Sequence, residues 1–147
     1  MAKVYTVGHS NRSFSEFIQL LKQYGIEVIV DVRRFPKSTK YPHFNREILE
    51  DELGKYNIKY IWLGGLLGGF RKGGYRNYML SKDYMEGIRR LISIILRYDN
   101  KVAIMCSEKL WFKCHRRFIS DTLVSKGIEV NHIIDKNRTS KHRLKRV

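Results

Sequence analysis

Five short apolar runs, rich in β-branched residues, punctuate this chain, and between them apolar residues recur at spacings of three and four. The runs are residues 4–7, 26–32, 59–63, 101–105 and 128–134; the second reads IEVIVDV and the fourth KVAIM. A run without polar alternation fits a strand covered on both faces, the habit of parallel sheets. Strands that alternate with helices need crossovers, which are right-handed. The pattern predicts an α/β fold: a single domain with a mostly parallel sheet of about five strands and helices on both faces. A length of 147 residues suits one domain.

The helical segments carry start and stop signals. Ser13 can cap a helix whose apolar side is Phe14, Phe17, Leu21 and Tyr24, with Gly25 closing it. Asn45 can cap a second, with Ile48, Leu49 and Leu53 inward. Ser81 can cap the longest, striped by Met85, Ile88, Leu91, Ile92 and Ile95. Ser107 opens a fourth that runs to about Ser125 before Gly127. Residues 1–135 read as the α/β domain. Residues 136–147 hold six Lys/Arg and no acid, and read as a disordered basic tail.

Charge points outward from the fold. Lys plus Arg is 29 against 14 acids, a net +15, and the body without the tail still carries +9. Such a field attracts polyanions, so a nucleic acid or another phosphate-bearing ligand is the expected partner. No apolar run approaches the ~20 residues of a membrane span, and no secretory pattern opens the chain. A cytoplasmic location without membrane contact is expected. Two cysteines, Cys106 and Cys114, are too few for a disulfide framework in a chain this long. No motif names a cofactor or an oligomeric state.

In open parallel sheets, ligands bind beyond the carboxyl ends of the strands, and the unusual residues of this chain gather there. His9, Ser10 and Arg12 follow the first strand. Asp31 and Arg33 end the second, with Arg34, Lys37 and Ser38 beyond. A loop holding six of the eleven glycines, residues 64–76, follows the third and brings Gly68 and Gly69 to the same rim. Cys106, Ser107 and Glu108 follow the fourth. A thiol at a strand end before a helix has its thiolate favoured by the helix N-terminus. If that helix begins near Glu108, then Glu108, Trp111 and His115 share a stripe, and Glu108 orients His115. Cys114 then faces the core. A carboxylate such as Asp31 in an apolar strand needs a cationic partner, Arg33 or Arg12. Metal binding is a weaker reading: Cys106, Cys114, His115 and His9 offer donor atoms without zinc-site spacing. In the glycine loop, Arg71, Lys72 and Arg76 can form a cationic lid, and Tyr75 and Tyr78 can stack on a base.

The motifs TVGHS (6–10), DVRRFPKS (31–38), YIWLGGLLGG (60–69) and CSEKLWFKCHR (106–116), in this order, resemble the family called domain of unknown function 488 over residues 4 to about 134. Gly65 adds one residue to the loop motif. The resemblance implies a compact α/β domain and a shared site at His9, Asp31, Arg33, Cys106, Glu108, Cys114, His115 and Arg116; it implies no reaction.

The expected function is an enzyme acting on a phosphate-bearing substrate, a nucleotide or nucleic acid. Cys106 is its nucleophile, His115 its acid or base oriented by Glu108, and His9 a second proton-transfer group. Arg12, Arg33 and Arg116 hold the anion, and Ser10, Asp31, Ser38, Gly68 and Gly69 complete the ligand contacts. The alternatives are a nucleic-acid-binding module without catalysis and an interaction domain whose strand-end residues only stabilise turns.

Overall fold

In a computed structural model, which describes residues 2–144, the five apolar runs lie side by side. They form β1 (Lys3–Gly8), β2 (Val28–Asp31), β3 (Lys59–Trp62), β4 (Val102–Cys106) and β5 (Glu129–Asp135), all parallel. A sixth strand, β6 (Arg138–Lys141), pairs antiparallel with β5, so the order is β3-β2-β4-β1-β5-β6. The sheet therefore has one strand more than the apolar runs suggest. The stretch expected to be a disordered tail belongs to the sheet as far as Lys141, and His142 behind it is buried. Residues 145–147 of that expected tail lie outside the described residues. The sequence of β6, RTSK, has no apolar face. Backbone hydrogen bonds to β5 need none, and Lys and Arg suit an exposed edge.

Pleating divides the β-branched residues between two cores. Val28, Val30, Val102 and Ile104 face one side; Ile29, Ala103 and Met105 face the other. The first side is covered by α3 (Gly64–Leu67), α5 (Lys82–Arg97) and α6 (Arg116–Ser125), and the second by α1 (Phe14–Gln23) and α2 (Arg46–Gly54). A four-residue helix, α4 (Tyr75–Tyr78), precedes α5. Of the α5 stripe, Ile88, Leu91 and Ile95 are buried while Met85 is 53% exposed. Each buried aliphatic contributes about 1.5–3 kcal/mol of transfer free energy. Ser13 caps α1 in a reciprocal box with Glu16, and the Ser81 hydroxyl accepts the Tyr84 N–H on α5. Asn45 precedes α2 without capping it; its side-chain oxygen accepts the Ser38 N–H at 2.5 Å instead.

The helix expected from Ser107 does not form there. Residues 107–115 cross the strand ends as a loop with a 3-10 turn at Trp111–Lys113, and α6 begins at Arg116. The cause lies later in the chain, where the Arg116 guanidinium takes the carbonyls of Glu108 and Lys109 at 2.6 and 3.2 Å. The helix after β1 covers one face and the helix after β4 the other. The carboxyl ends of β1 and β4 are thus the topological switch point, where open α/β sheets bind ligands.

Candidate functional site

Gly8 ends β1 beside Cys106 of β4, and the pairing continues as the N–H groups of His9 and Ser10 donate to the carbonyls of Cys106 and Ser107, each at 2.9 Å. A Cβ on Gly8 would meet the Glu108 carbonyl oxygen at 1.9 Å. Only glycine lets the loop after β4 lie across the end of β1, and this crossing sets His9 and Cys106 around one cleft.

On the α1/α2 side the polar groups saturate one another. Asp31 is fully buried and grips Arg33 in a fork, with Nη2 at 2.8 Å and Nε at 2.9 and 3.1 Å. It also accepts the Arg33 N–H at 3.0 Å and the Tyr60 hydroxyl at 2.5 Å. Burial, and then the Asp31 charge, pushes the Tyr60 hydroxyl far above the ordinary phenol range. The expected Asp31 partner is therefore Arg33, not Arg12. His9 stacks on Phe44 at 4.2 Å, donates from Nδ1 to the Ser10 carbonyl at 3.0 Å, and accepts Arg33 Nη1 at Nε2, 3.3 Å away. Burial lowers its pKa to about 4, helped by the Arg33 charge and opposed by the Ser10 hydrogen bond. Both ring nitrogens are engaged, so His9 is a neutral anchor.

On the α5/α6 side the groups do not saturate. Cys106 is 2% exposed, and its Sγ lies 3.1 Å from Sγ of Cys114 and 3.6 Å from the Glu108 carbonyl. Cys114 Sγ receives the Arg116 N–H at 3.4 Å and Arg116 Nε at 3.5 Å. Arg116 is 1% exposed, and no carboxylate lies within salt-bridge distance of it among the described residues. Its other partners are neutral: the Glu108 and Lys109 carbonyls and the Thr6 hydroxyl at 3.2 Å. A buried guanidinium needs compensating charge, and of its hydrogen-bonding partners only the Cys114 sulfur can ionise. The hydrogen bond from Cys106 and then the charge of Arg116 hold the Cys114 thiol well below the ordinary range, against its burial. Burial and the neighbouring Cys114 push the Cys106 thiol well up. Of the pair, Cys114 is the more acidic thiol; it packs against the core, as expected, and also lines the cleft with Cys106. His115, at the N-cap of α6, donates from Nε2 to the Val32 carbonyl at 2.8 Å. Its Nδ1 is left as an acceptor against Gly69, where a Cβ would come within 3.3 Å. Burial lowers the His115 pKa and keeps the ring neutral.

Behind Arg116 runs a chain of buried hydrogen bonds. Thr6 Oγ1 lies 2.6 Å from His132 Nδ1, His132 Nε2 2.9 Å from His142 Nδ1, and His142 Nε2 2.6 Å from Asp121 Oδ1. Outward from the Arg116 N–H, each donor meets one acceptor, the Thr6 hydroxyl donating to His132, His132 to His142 and His142 to Asp121. Trp111 stacks on His132 at 4.4 Å and 6°. Burial, followed by His142 and Arg116, lowers the His132 pKa to about 3.

Both cysteines and His115 open on a cleft of about 290 Å³ that also contains His9, Arg33, Ser38 and Gly69. Arg34, Lys37 and Lys113 make its rim basic. Ser10 lines an adjoining cavity of about 460 Å³. The Glu108 side chain is exposed and borders both cavities. It is the Glu108 backbone carbonyl, not the carboxylate, that joins the thiol network, and Glu108 does not share a helical stripe with His115. Arg12 points away and ties the Gly8 and Ile134 carbonyls together at 3.3 and 2.8 Å. Asp31 and Arg116 lie beneath the cleft, and Gly68 packs its backbone on Arg34. Of the expected cationic lid, Arg71 is tied down, while Lys72 and Arg76 are exposed. Arg71 turns inward to the carbonyls of Gly65 and Gly68, and the Tyr75 and Tyr78 hydroxyls donate to Leu67 and Leu66 at 2.6 Å each. Tyr75 lines a further cavity of about 400 Å³ beside Cys114; Tyr78 does not. A larger cavity, about 570 Å³, runs along α5 at Leu80 and Met85 and holds no thiol or imidazole. Among the described residues, no three His, Cys, Asp or Glu gather as metal ligands.

Thr6, Tyr60, His132 and His142 are absent from the sequence-level set. Their one signal was polar character inside or behind apolar strands: Thr6 in VYTVG, His132 in IEVNHII. No described helix is long and apolar enough to cross a membrane. Residues 13–123 match the family model described as "Domain of unknown function DUF488". That span includes Asp31, Arg33, both cysteines, His115 and Arg116, while the Gly8-His9 turn precedes it. No curated protein and no solved structure matches the chain.

Proposed function

This chain belongs to the DUF488 family, and because that description names no reaction, we propose from the geometry that it is an enzyme attacking a phosphate-bearing substrate with the Cys114 thiolate. The reading rests on one observation: Arg116, buried without a carboxylate, sets its charge against the Cys114 sulfur on the wall of a basic cleft. Arg34, Lys37 and Lys113 receive the substrate anion. The sulfur bonds to the substrate as the leaving group departs with the bonding pair. Water then cleaves the new bond, passing its proton to Nδ1 of His115. Cys106 donates its S–H to the resting thiolate, and Asp31, Arg33 and His9 hold the far wall.

Alkylation by iodoacetamide near pH 6, located by mass spectrometry, tests this. Cys114 is expected to be modified ahead of Cys106, and adenosine monophosphate is expected to slow that modification. Modification of Cys106 first, or of neither, removes the thiolate mechanism. Rapid alkylation of Cys114 without protection by the nucleotide removes the phosphate-bearing substrate.

A further inference from the structure

Three cavities run edge to edge along the carboxyl rim of the sheet. The central one, about 290 Å³, holds the cysteines. It shares His9, Ser38, Ser107 and Glu108 with a cavity of about 460 Å³ on one side. It shares Gly69, Phe70, Lys113, Cys114 and His115 with one of about 400 Å³ on the other. Each is near the lower bound of a small-molecule site, and joined they reach its upper bound, roughly 300 and 1,000 Å³. The result is a groove, longer than one small ligand requires.

Charge follows its whole length. Lys40 and Lys109 line one end, Arg34 and Lys37 the centre, Lys113 and Arg117 the other end, and Glu108 is the one carboxylate among the lining residues. Large rings stand out of the protein between these cations. Phe70 is 85% exposed, Phe35 63% and Phe112 46%. Phe70 has a left-handed backbone, φ 59°, its carbonyl is taken by Arg34 at 2.5 Å, and its ring lies 6.2 Å from that of Phe35. A bulky residue in that conformation is uncommon, and here it keeps a large apolar ring in solvent at the mouth of the cleft.

Cations repeated along a groove with exposed flat rings among them match a chain of phosphates bearing unpaired bases. A duplex hides the faces of its bases, polyphosphate has none, and an acidic peptide has no regular succession of flat rings. We infer that the groove takes single-stranded nucleic acid, laid across the three cavities with a phosphate group over Cys114. This deepens, and rests on, the reading of the cleft as a substrate site.

Fluorescence anisotropy with an oligothymidylate of about ten residues, against thymidine monophosphate, tests it. The oligomer is expected to bind about a hundredfold tighter. With about four phosphates neutralised, its affinity is expected to fall about fiftyfold between 0.05 and 0.2 M salt. Phe70→Ala is expected to weaken the oligomer about tenfold while leaving inorganic polyphosphate unchanged. Equal affinity for monomer and oligomer, or a preference for duplex or for an acidic peptide, overturns the inference. Those outcomes leave alkylation of Cys114, and with it the catalytic reading, standing. Tight oligomer binding beside an inert Cys114 supports the groove and overturns the catalysis.

Discussion

Arg33 and Arg116 are both buried cations beside one cleft, 6% and 1% exposed, and they are neutralised in opposite ways. Arg33 meets a carboxylate that is itself fully buried, and Tyr60, His9 and a backbone N–H complete the set. That cluster is closed, and any ligand entering it has to displace a charge-assisted hydrogen bond. Arg116 meets two carbonyls, a hydroxyl and a sulfur. Its neutral partners hold it in place without cancelling its charge, which acts on the one hydrogen-bonding partner able to ionise. A buried ion pair with its own counterion builds the wall of a site; a buried cation without one tunes a reactive group. Two residues that look alike in sequence, each an arginine after a strand end, thus divide the work of one cleft.

The largest expected effect breaks the closed side. Asp31→Asn leaves Arg33 buried without its counterion and is expected to destabilise the fold by about 3–5 kcal/mol, read by urea denaturation. The alkylation rate of Cys114 in the folded fraction is expected to stay near that of the parent protein. A small stability loss with a large fall in Cys114 reactivity reverses the assignment of the two sides. Next comes the open side. Arg116→Met keeps the aliphatic stem and removes the charge, and is expected to raise the Cys114 pKa by about two units, roughly 2.7 kcal/mol. The midpoint of the alkylation rate against pH then moves from about 5 to about 7, and the rate at pH 6.5 falls about fourfold. Stability gives an independent reading. A thiol whose folded pKa is depressed contributes stability that is full above its unfolded pKa and is lost as pH falls through the folded one. The parent protein is expected to lose that contribution on acidification, and Arg116→Met to lose about 2.7 kcal/mol less. An unchanged alkylation profile in the variant removes Arg116 from the control of the thiol.

Most of the frame was legible because it rests on local pattern. The β-branched runs gave five strands, Ser13 and Ser81 marked two helix starts, and the strand-end rule located the cleft. The failures share one cause, contacts distant in sequence. A helix from Ser107 was the economical local reading, but Arg116 captures the Glu108 and Lys109 carbonyls and holds that stretch as a loop. With that stretch held as a loop, His115 leaves the expected stripe, and Cys114 lines the cleft as well as packing on the core. The β6 strand escaped because an edge ladder is backbone chemistry, and RTSK resembles any charged tail. His142 was hidden in that tail, and its partner His132 looked like a lone polar residue in a strand.

The smallest expected effect lies where the buried histidines touch the open side. Thr6 is the joint: it accepts from Arg116 and donates to His132. Thr6→Val nearly preserves the shape and removes the hydroxyl, leaving a guanidinium N–H and an imidazole nitrogen unpaired. A loss of about 2–3 kcal/mol is expected, since a buried guanidinium N–H and an imidazole nitrogen both lose their partner. The midpoint of Cys114 alkylation against pH is expected to move by about half a unit or less, because Nε of Arg116, which touches the sulfur, keeps its charge whether or not Nη1 has a partner. A shift as large as that of Arg116→Met would mean that the charge alone does not set the thiol. The chain from Thr6 to Asp121 would then be part of the reactive side, and the boundary between the two halves of the cleft would run through β5 rather than between β1 and β4.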